Sequence, residues 1–286
     1  MTTKARWTFF LAAIFLIAAM RTTAQAAPAA HQPELTGLAH LALRVSDLDR
    51  EVNFFGKLGF EEAFTNTDNN GRTLQVFIKI NDVQFVEIYS QSGSEPLGFL
   101  HACYESPDVN ALYNRYVRAG LRPAPVRRSS AGNLFFTLQD PDGRVTEFTQ
   151  YLAGSRYMND KGQHLGDRRV SDEMLGFELP VVNLDAAQKF YESLGFDAEP
   201  NGANVRLSIP ADPDLRIELH ARHPEDQPQF LFPVDDARRI ADELRHEGVD
   251  AVRSKKLVFV HDPDGNAFVL LETGEHSPRH IIPWRK

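Results

Sequence analysis

A single cysteine, Cys103, is all the sequence offers for cross-linking, so no disulfide can form within the chain and stability must come from packed apolar cores. Basic residues are in the minority, 31 Lys+Arg against 39 Asp+Glu. An acidic surface repels a phosphate backbone, which argues against nucleic acid as a partner. Long hydrophobic runs are scarce too. The uncharged apolar stretch from Trp7 to Met20 falls short of the about 20 residues that a membrane-spanning helix needs. Preceded by Lys4 and Arg6 and followed by the small residues of "AQAAPAA", it has the three-part pattern of a secretory signal peptide over residues 1–26, with an uncleaved anchor as the alternative. Ala24 and Ala26 satisfy the small-x-small rule, so the mature chain is expected to begin at Ala27, where no cysteine stands to accept a lipid. The expected location is periplasmic or secreted, without membrane attachment after cleavage. Three basic and no acidic residues leave with that segment, so the formal charge moves from −8 to −11.

What the sequence does have is repetition. The phrase "GLAHLALRVSDLDREVNFFGKLGF" at 37–60 returns 136 positions later as "EMLGFELPVVNLDAAQKFYESLGF", with Gly176 in place of His40. Leu41, Leu43 and Val45 alternate with His40, Ala42 and Arg44, the period of a two-faced strand. From Leu48 the apolar residues Val52, Phe55 and Leu58 recur at helical spacing, with Asp47 or Asp49 as cap and Gly59 as terminator. A short strand near 61–65 and two longer ones, "TLQVFIKI" and "VQFVEIYS", complete a βαβββ unit. The same order can be read from "LGFLHACYE", from Phe177 and from Phe230, with glycines 59, 120, 195 and 248 expected to close the four helices and "DPDG" hairpin turns at 140–143 and 262–265. Units this small cannot bury a sheet face alone, so they should associate in pairs. The expected organisation is one paired domain at 35–152, a polar linker at 153–174, a second domain at 175–273 and a tail at 274–286.

These phrases and hairpins, over residues 35 to 273, resemble the vicinal oxygen chelate superfamily, which includes glyoxalase I, extradiol dioxygenases, fosfomycin-resistance enzymes and bleomycin-binding proteins. The resemblance implies an α+β fold of two tandem domains, each an open curled sheet built from two βαβββ units. It also implies one divalent metal ion per active cup, held by residues from the first and last strands of each unit. Those positions hold His40, Glu87, His101 and Glu147 in the first half and Gly176, Glu218, Gln229 and Val269 in the second. The strand faces agree for Glu87, which shares its face with Val83, Phe85 and Tyr89, because a carboxylate there needs a partner or an ion. His101 shares a face with Phe99 and Cys103, and Glu147 with Val145 and Tyr151. The second half, with one carboxylate and no histidine at its four positions, is expected to have lost its metal.

Mixed imidazole and carboxylate ligation suits Fe(II), Ni(II), Co(II), Zn(II) or Mn(II). With two coordination positions left open, a small substrate can chelate through vicinal oxygens while Glu87 or Glu147 moves a proton. Such a His-Glu-His-Glu set looks most like glyoxalase I, a lyase. An extradiol dioxygenase using His40, His101 and Glu147 is the rival, although its tyrosine position reads Thr137 and its acid/base histidine window reads Arg128, Ser129 and Ser130. A third reading is a metal-independent binding or resistance protein. Cys103 and Arg128 are candidate substrate contacts, with Arg44, Arg72 and Arg127 as further anion contacts. The expected partner is a small molecule, and the protein a monomer or homodimer.

Overall fold

The computed structural model describes residues 34–224 and 226–273. The expected signal segment at 1–26 and the tail at 274–286 lie outside the described residues. The first half runs through β1 (Gly37–Val45), α1 (Leu48–Lys57), β2 (Glu61–Thr67), β3 (Thr73–Lys79), β4 (Phe85–Ser90), β5 (Gly98–Glu105), α2 (Val109–Arg118), β6 (Arg127–Arg128), β7 (Leu134–Gln139) and β8 (Val145–Gln150). After α3 (Arg156–Asn159) the second half runs through β9 (Gly176–Val181), α4 (Leu184–Leu194), β10 (Asp197–Asn201), β11 (Asn204–Ile209), β12 (Asp212–Ala221), β13 (Gln229–Val234), α5 (Ala237–His246), β14 (Val252–Ser254), β15 (Leu257–His261) and β16 (Ala267–Glu272).

Each half is therefore two βαβββ units. Asp47, Asp108, Asn183 and Asp236 cap the four long helices through their side-chain oxygens. Gly59, Gly120, Gly195 and Gly248 follow the same helices at positive φ. The strands form two eight-stranded sheets, ordered β2-β3-β4-β1-β5-β8-β7-β6 and β10-β11-β12-β9-β13-β16-β15-β14. In the first sheet β1 is parallel to β4, β5 is parallel to β8, and β1 meets β5 antiparallel at the centre. The second repeats this with β9, β12, β13 and β16. Both are open curled half-barrels, the tandem α+β architecture that the repeats imply.

The helices bury their apolar stripes between the two sheets. Phe54 and Phe55 of α1 pack on Phe268 of β16, each at 5.6 Å between ring centroids, and Tyr104 of β5 meets Phe196 at 4.9 Å. One continuous core thus joins both halves, with α1 and α4 inside it. No described helix is long and apolar enough to cross a membrane.

The connector at 153–174 departs from its reading as a polar linker. Several of its polar groups bond to the first sheet, while Lys161, Gln163, Asp167 and Arg168 stay exposed. Arg156 donates to the Thr65 carbonyl at 2.7 Å, and the Asp160 carboxylate pairs with the fully buried Lys79 ammonium at 2.9 Å. Val170 N–H donates to the Leu58 carbonyl at 3.0 Å. Between these anchors Tyr157 turns inward and is buried. The segment has no hydrophobic period because its partners are scattered carbonyls and charges rather than one apolar face.

Candidate metal centre

Register explains how four residues distant in sequence meet. Across the four central strands of the first sheet, Phe85, His40, Cys103 and Glu147 form one cross-strand row. Glu87, Ala42, His101 and Val145 form the next. His40 and Glu147 thus flank Cys103, while Glu87 and His101 flank Ala42. Both spacers are small and fully buried, which leaves room for the four long side chains to lean together over them.

They do converge. His40 Nε2 lies 3.1 Å from His101 Nε2 and 3.6 Å from Glu147 Oε1. His40 Nδ1 lies 3.5 Å from Glu87 Oε1, and His101 Nε2 lies 3.9 Å from Glu147 Oε2. Ligands at right angles on an ion with bonds of about 2.1 Å sit roughly 3 Å apart, and opposite ones roughly 4.2 Å. Each spacing falls in that interval, but Glu87 faces the Nδ1 side of the His40 ring and Glu147 the Nε2 side, so an ion drawing on both carboxylates requires the imidazole or a carboxylate to turn. The same histidines group with Glu87, and His40 groups with Cys103 and Glu147, as possible ion-holding sets. His40 Nδ1 is also a buried polar atom without a hydrogen-bond partner.

Electrostatics points the same way. Burial lowers His40 to a pKa of about 3, and burial together with its neighbour His40 lowers His101 to about 3, so both imidazoles are neutral lone-pair donors. Burial, then the nearby Glu87, raises Glu147 to about 8. Glu87 is also raised by burial, against the opposing influence of His101 and of hydrogen bonds from Tyr157, Tyr89 and Gln75. Two buried carboxyls that resist sharing negative charge beside two neutral imidazoles form a set that a dication satisfies.

The carboxylates differ in their surroundings. Glu87 Oε2 accepts from Gln75 Nε2 at 2.8 Å and from Tyr89 OH at 2.9 Å, while the Tyr157 hydroxyl donates to Oε1. Glu147 has no such cradle: the Cys103 thiol lies beside it and donates to the Tyr104 carbonyl at 4.0 Å. Gln75 and Tyr157 escaped sequence reasoning. Gln75 left a faint signal, a lone amide within an apolar strand, whereas Tyr157 left none.

The arginines need a correction. Arg128 pairs with Leu134, which packs on the core between the sheets, and its guanidinium donates to the Gly132 carbonyl at 2.9 Å. It therefore lies on the face away from the cup. Arg127 pairs with Phe135, on the face that carries Thr137 and Glu147, and its guanidinium stacks on the Phe135 ring at 4.6 Å. Alternation along a two-residue strand put the neighbouring arginine on the cup side. Arg44 is engaged by Glu95 at 3.3 Å and by the Pro96 carbonyl, and Arg72 is exposed beside Asp68.

In the second sheet the corresponding rows read Arg216, Gly176, Leu231, Val269 and Glu218, Glu178, Gln229, Ala267. Leu231 and Val269, standing where Cys103 and Glu147 stand, join a small apolar cluster. Glu178 occupies the place of Ala42, a second carboxylate beyond the four positions inspected in sequence. Gly176 has φ +149°, and a Cβ there would overlap the Arg216 carbonyl oxygen. A cavity of about 340 Å³ opens here, lined by Glu178, Asn204, His220, His223 and Gln229. Among the described residues it lacks the ligand spacing of the first cup.

Residues 37–148 match the sequence model of the Glyoxalase/Bleomycin resistance protein/Dioxygenase superfamily. No curated relative matches the chain in sequence. Among solved structures, a catechol 2,3-dioxygenase is 14% identical with a TM-score of 0.64, covering 86% of this chain and 95% of that one. The 2,3-dioxygenase LapB from Pseudomonas sp. KL28 is 17% identical with a TM-score of 0.64, covering 85% and 94%. A Mn(II)-bound glyoxalase from Novosphingobium aromaticivorans is 19% identical with a TM-score of 0.62, covering 83% and 82%. Identities this low show a shared fold.

Proposed function

We propose, from the premise that residues 37–148 form a domain of the Glyoxalase/Bleomycin resistance protein/Dioxygenase superfamily, that the protein is an exported metalloenzyme of glyoxalase type. His40, Glu87, His101 and Glu147 hold one divalent ion, and the substrate is a small molecule with two adjacent oxygens. The observation that carries the reading is that Glu87 and Glu147 each approach the paired histidines His40 and His101, at 3.5 to 3.9 Å. When bound, the ion supplies Lewis acidity to the two oxygens. The mixed set suits Fe(II), Ni(II), Co(II), Zn(II) or Mn(II), and the Mn(II)-bound glyoxalase among the structural neighbours is in keeping with it.

The protein's own groups divide the remaining work. Glu87, held by three donors, is not free to swing, so it fixes position. Glu147, without a comparable set of donors, is free to take a proton from a substrate carbon and return it to the neighbouring one. This would be a lyase or isomerase step. His40 and Glu87 are buried, whereas His101 and Glu147 keep some exposure, the side from which a substrate would enter and displace water. Arg127 stands on the cup face as a cation for an acidic substrate group.

The same three donors favour a second reading. If they hold Glu87 back from the ion, His40, His101 and Glu147 remain as the two-histidine, one-carboxylate set of an extradiol Fe(II) dioxygenase. Metal analysis followed by a screen of thiol adducts of hydroxy-carbonyls and of catechols separates the two. Glu147→Gln is expected to lower turnover of a thiol adduct about 10²–10⁴-fold while metal remains bound. Oxygen uptake on catechols, retained by Glu87→Gln, would establish the dioxygenase instead. Ligand binding that survives complete chelation would establish a metal-independent binding protein.

Export is part of the proposal, to the periplasm or medium, as a monomer or homodimer. N-terminal sequencing of exported protein should begin at Ala27, because Ala24 and Ala26 suit signal peptidase while Pro28 obstructs a later cut. An intact chain from Met1 in the membrane fraction would replace this with the anchored form.

A further inference from the structure

The connector between the sheets reaches into the centre of the metal site. Tyr157 is only 4% exposed, and its ring is wedged between Phe64, Phe77 and Phe85, with edge-on centroid separations of 5.3, 5.6 and 4.6 Å. Tyr151 lies against it at 5.2 Å. The backbone on either side is fastened independently. Before Tyr157, Arg156 donates to the Thr65 carbonyl and to Asn66 Oδ1, and stacks on Phe64 at 4.3 Å. After it, Asp160 pairs with buried Lys79, and Gly162 N–H donates to Asp82 at 2.7 Å. A ring held this firmly has one place for its hydroxyl, and that place is Glu87 Oε1.

Oε1 is the oxygen that faces His40 Nδ1 at 3.5 Å, whereas Gln75 and Tyr89 occupy Oε2. A carboxylate has about four lone-pair sites. Three are taken, and on Oε1 one remains, directed by the bond that takes the other. Gln75 and Tyr89 belong to strands of the same unit as Glu87, but Tyr157 belongs to neither unit.

We propose that Tyr157 is a positioning residue for the metal centre: its hydroxyl, carried in by the connector, fixes the ligating oxygen of Glu87, so metal affinity depends on how the connector is seated. The inference rests on the four-ligand reading above. Partners that orient a ligand in this way are generally worth about 10–100-fold in metal affinity.

The test is a titration of the metal-free, full-length mature protein with Co(II), followed by its visible absorption. Tyr157→Phe keeps the wedged ring and removes only the hydroxyl. It should bind one equivalent about 10–100-fold more weakly than wild type, with an altered Co(II) spectrum, while thermal unfolding of the metal-free protein changes little. Tyr151→Phe removes a comparable hydroxyl, which donates to the Val83 carbonyl at 2.8 Å, and should keep the wild-type affinity. Should Tyr157→Phe fail to fold, Arg156→Ala loosens the connector without touching Glu87 and should also weaken Co(II). Wild-type affinity and spectrum in Tyr157→Phe, or in Arg156→Ala where that variant decides, overturn the proposal while leaving the metal site standing. A wild-type protein that binds no Co(II), Mn(II), Fe(II), Ni(II) or Zn(II) overturns the four-ligand reading and this inference with it.

Discussion

His101→Ala is expected to lose stoichiometric metal and essentially all metal-dependent turnover while folding as wild type does. His101 supplies the Nε2 that lies nearest His40 Nε2, so its removal leaves one imidazole and two mutually repelling carboxyls. The loss should exceed the about 10–100-fold seen when only a supporting partner is removed. Retention of the fold follows from the second sheet, which forms the same strand order with Gly176, Gln229 and Val269 at three of the four ligand positions. Metal content by elemental analysis and the far-ultraviolet spectrum check the two halves of the expectation. Chelator treatment of wild type should reproduce the loss and one equivalent of ion should reverse it. A variant that keeps full metal content would remove His101 from the ligand set.

Glu51→Leu is expected to stabilise the protein, and increasingly so as pH rises. Glu51 is fully buried in α1, and neither carboxyl oxygen has a hydrogen-bond partner. The same place in α2, α4 and α5, four residues past the cap, holds Leu112, Ala187 and Ile240, all buried. Burial first, then Asp262 and Asp264 of the second "DPDG" turn, raise Glu51 from its ordinary 4.5 to about 9, with Asp47 adding to the rise and Arg50 opposing it. The folded state therefore binds a proton that the unfolded chain releases above pH 4.5. Stability contributed through this proton is complete below the unfolded value, declines as pH climbs through the interval, and is gone above about 9. Leucine removes the dependence along with the unsatisfied group. A gain of about 1–3 kcal/mol is expected at neutral pH, and each kcal/mol raises Tm by about 2–4 °C in a protein of this size. Urea unfolding of both proteins at pH 5, 7 and 9 gives the comparison. A difference between them that shrinks with rising pH would show that Glu51 has a partner.

Much of the fold could be read from the sequence because its signals are local. Asp47 and Gly59 bracket α1 within one turn of either end, and alternation in β1 fixes which side chains face together. His40, Glu87, His101 and Glu147 could be singled out because the resemblance to the vicinal oxygen chelate superfamily points to the first and last strands of each unit, and the repeats locate those strands. Tyr157 was not, since its burial depends on Phe64, Phe77 and Phe85 forming a socket far away in sequence. Arg127 and Arg128 show a related limit. Two adjacent arginines on a two-residue strand point to opposite faces, and their cross-strand partners Phe135 and Leu134 decide which is which.

The backbone at Gly176 limits what a single substitution can install in the second cup. A histidine placed there meets the Arg216 carbonyl oxygen and a backbone conformation that side chains avoid. Gly176→His would therefore require β12 to shift away from β9 before an imidazole could stand in the row that His40 occupies in the first sheet. The two cups are not interchangeable by one exchange of side chains: what separates them is written in the main chain as well as in the residues that line it.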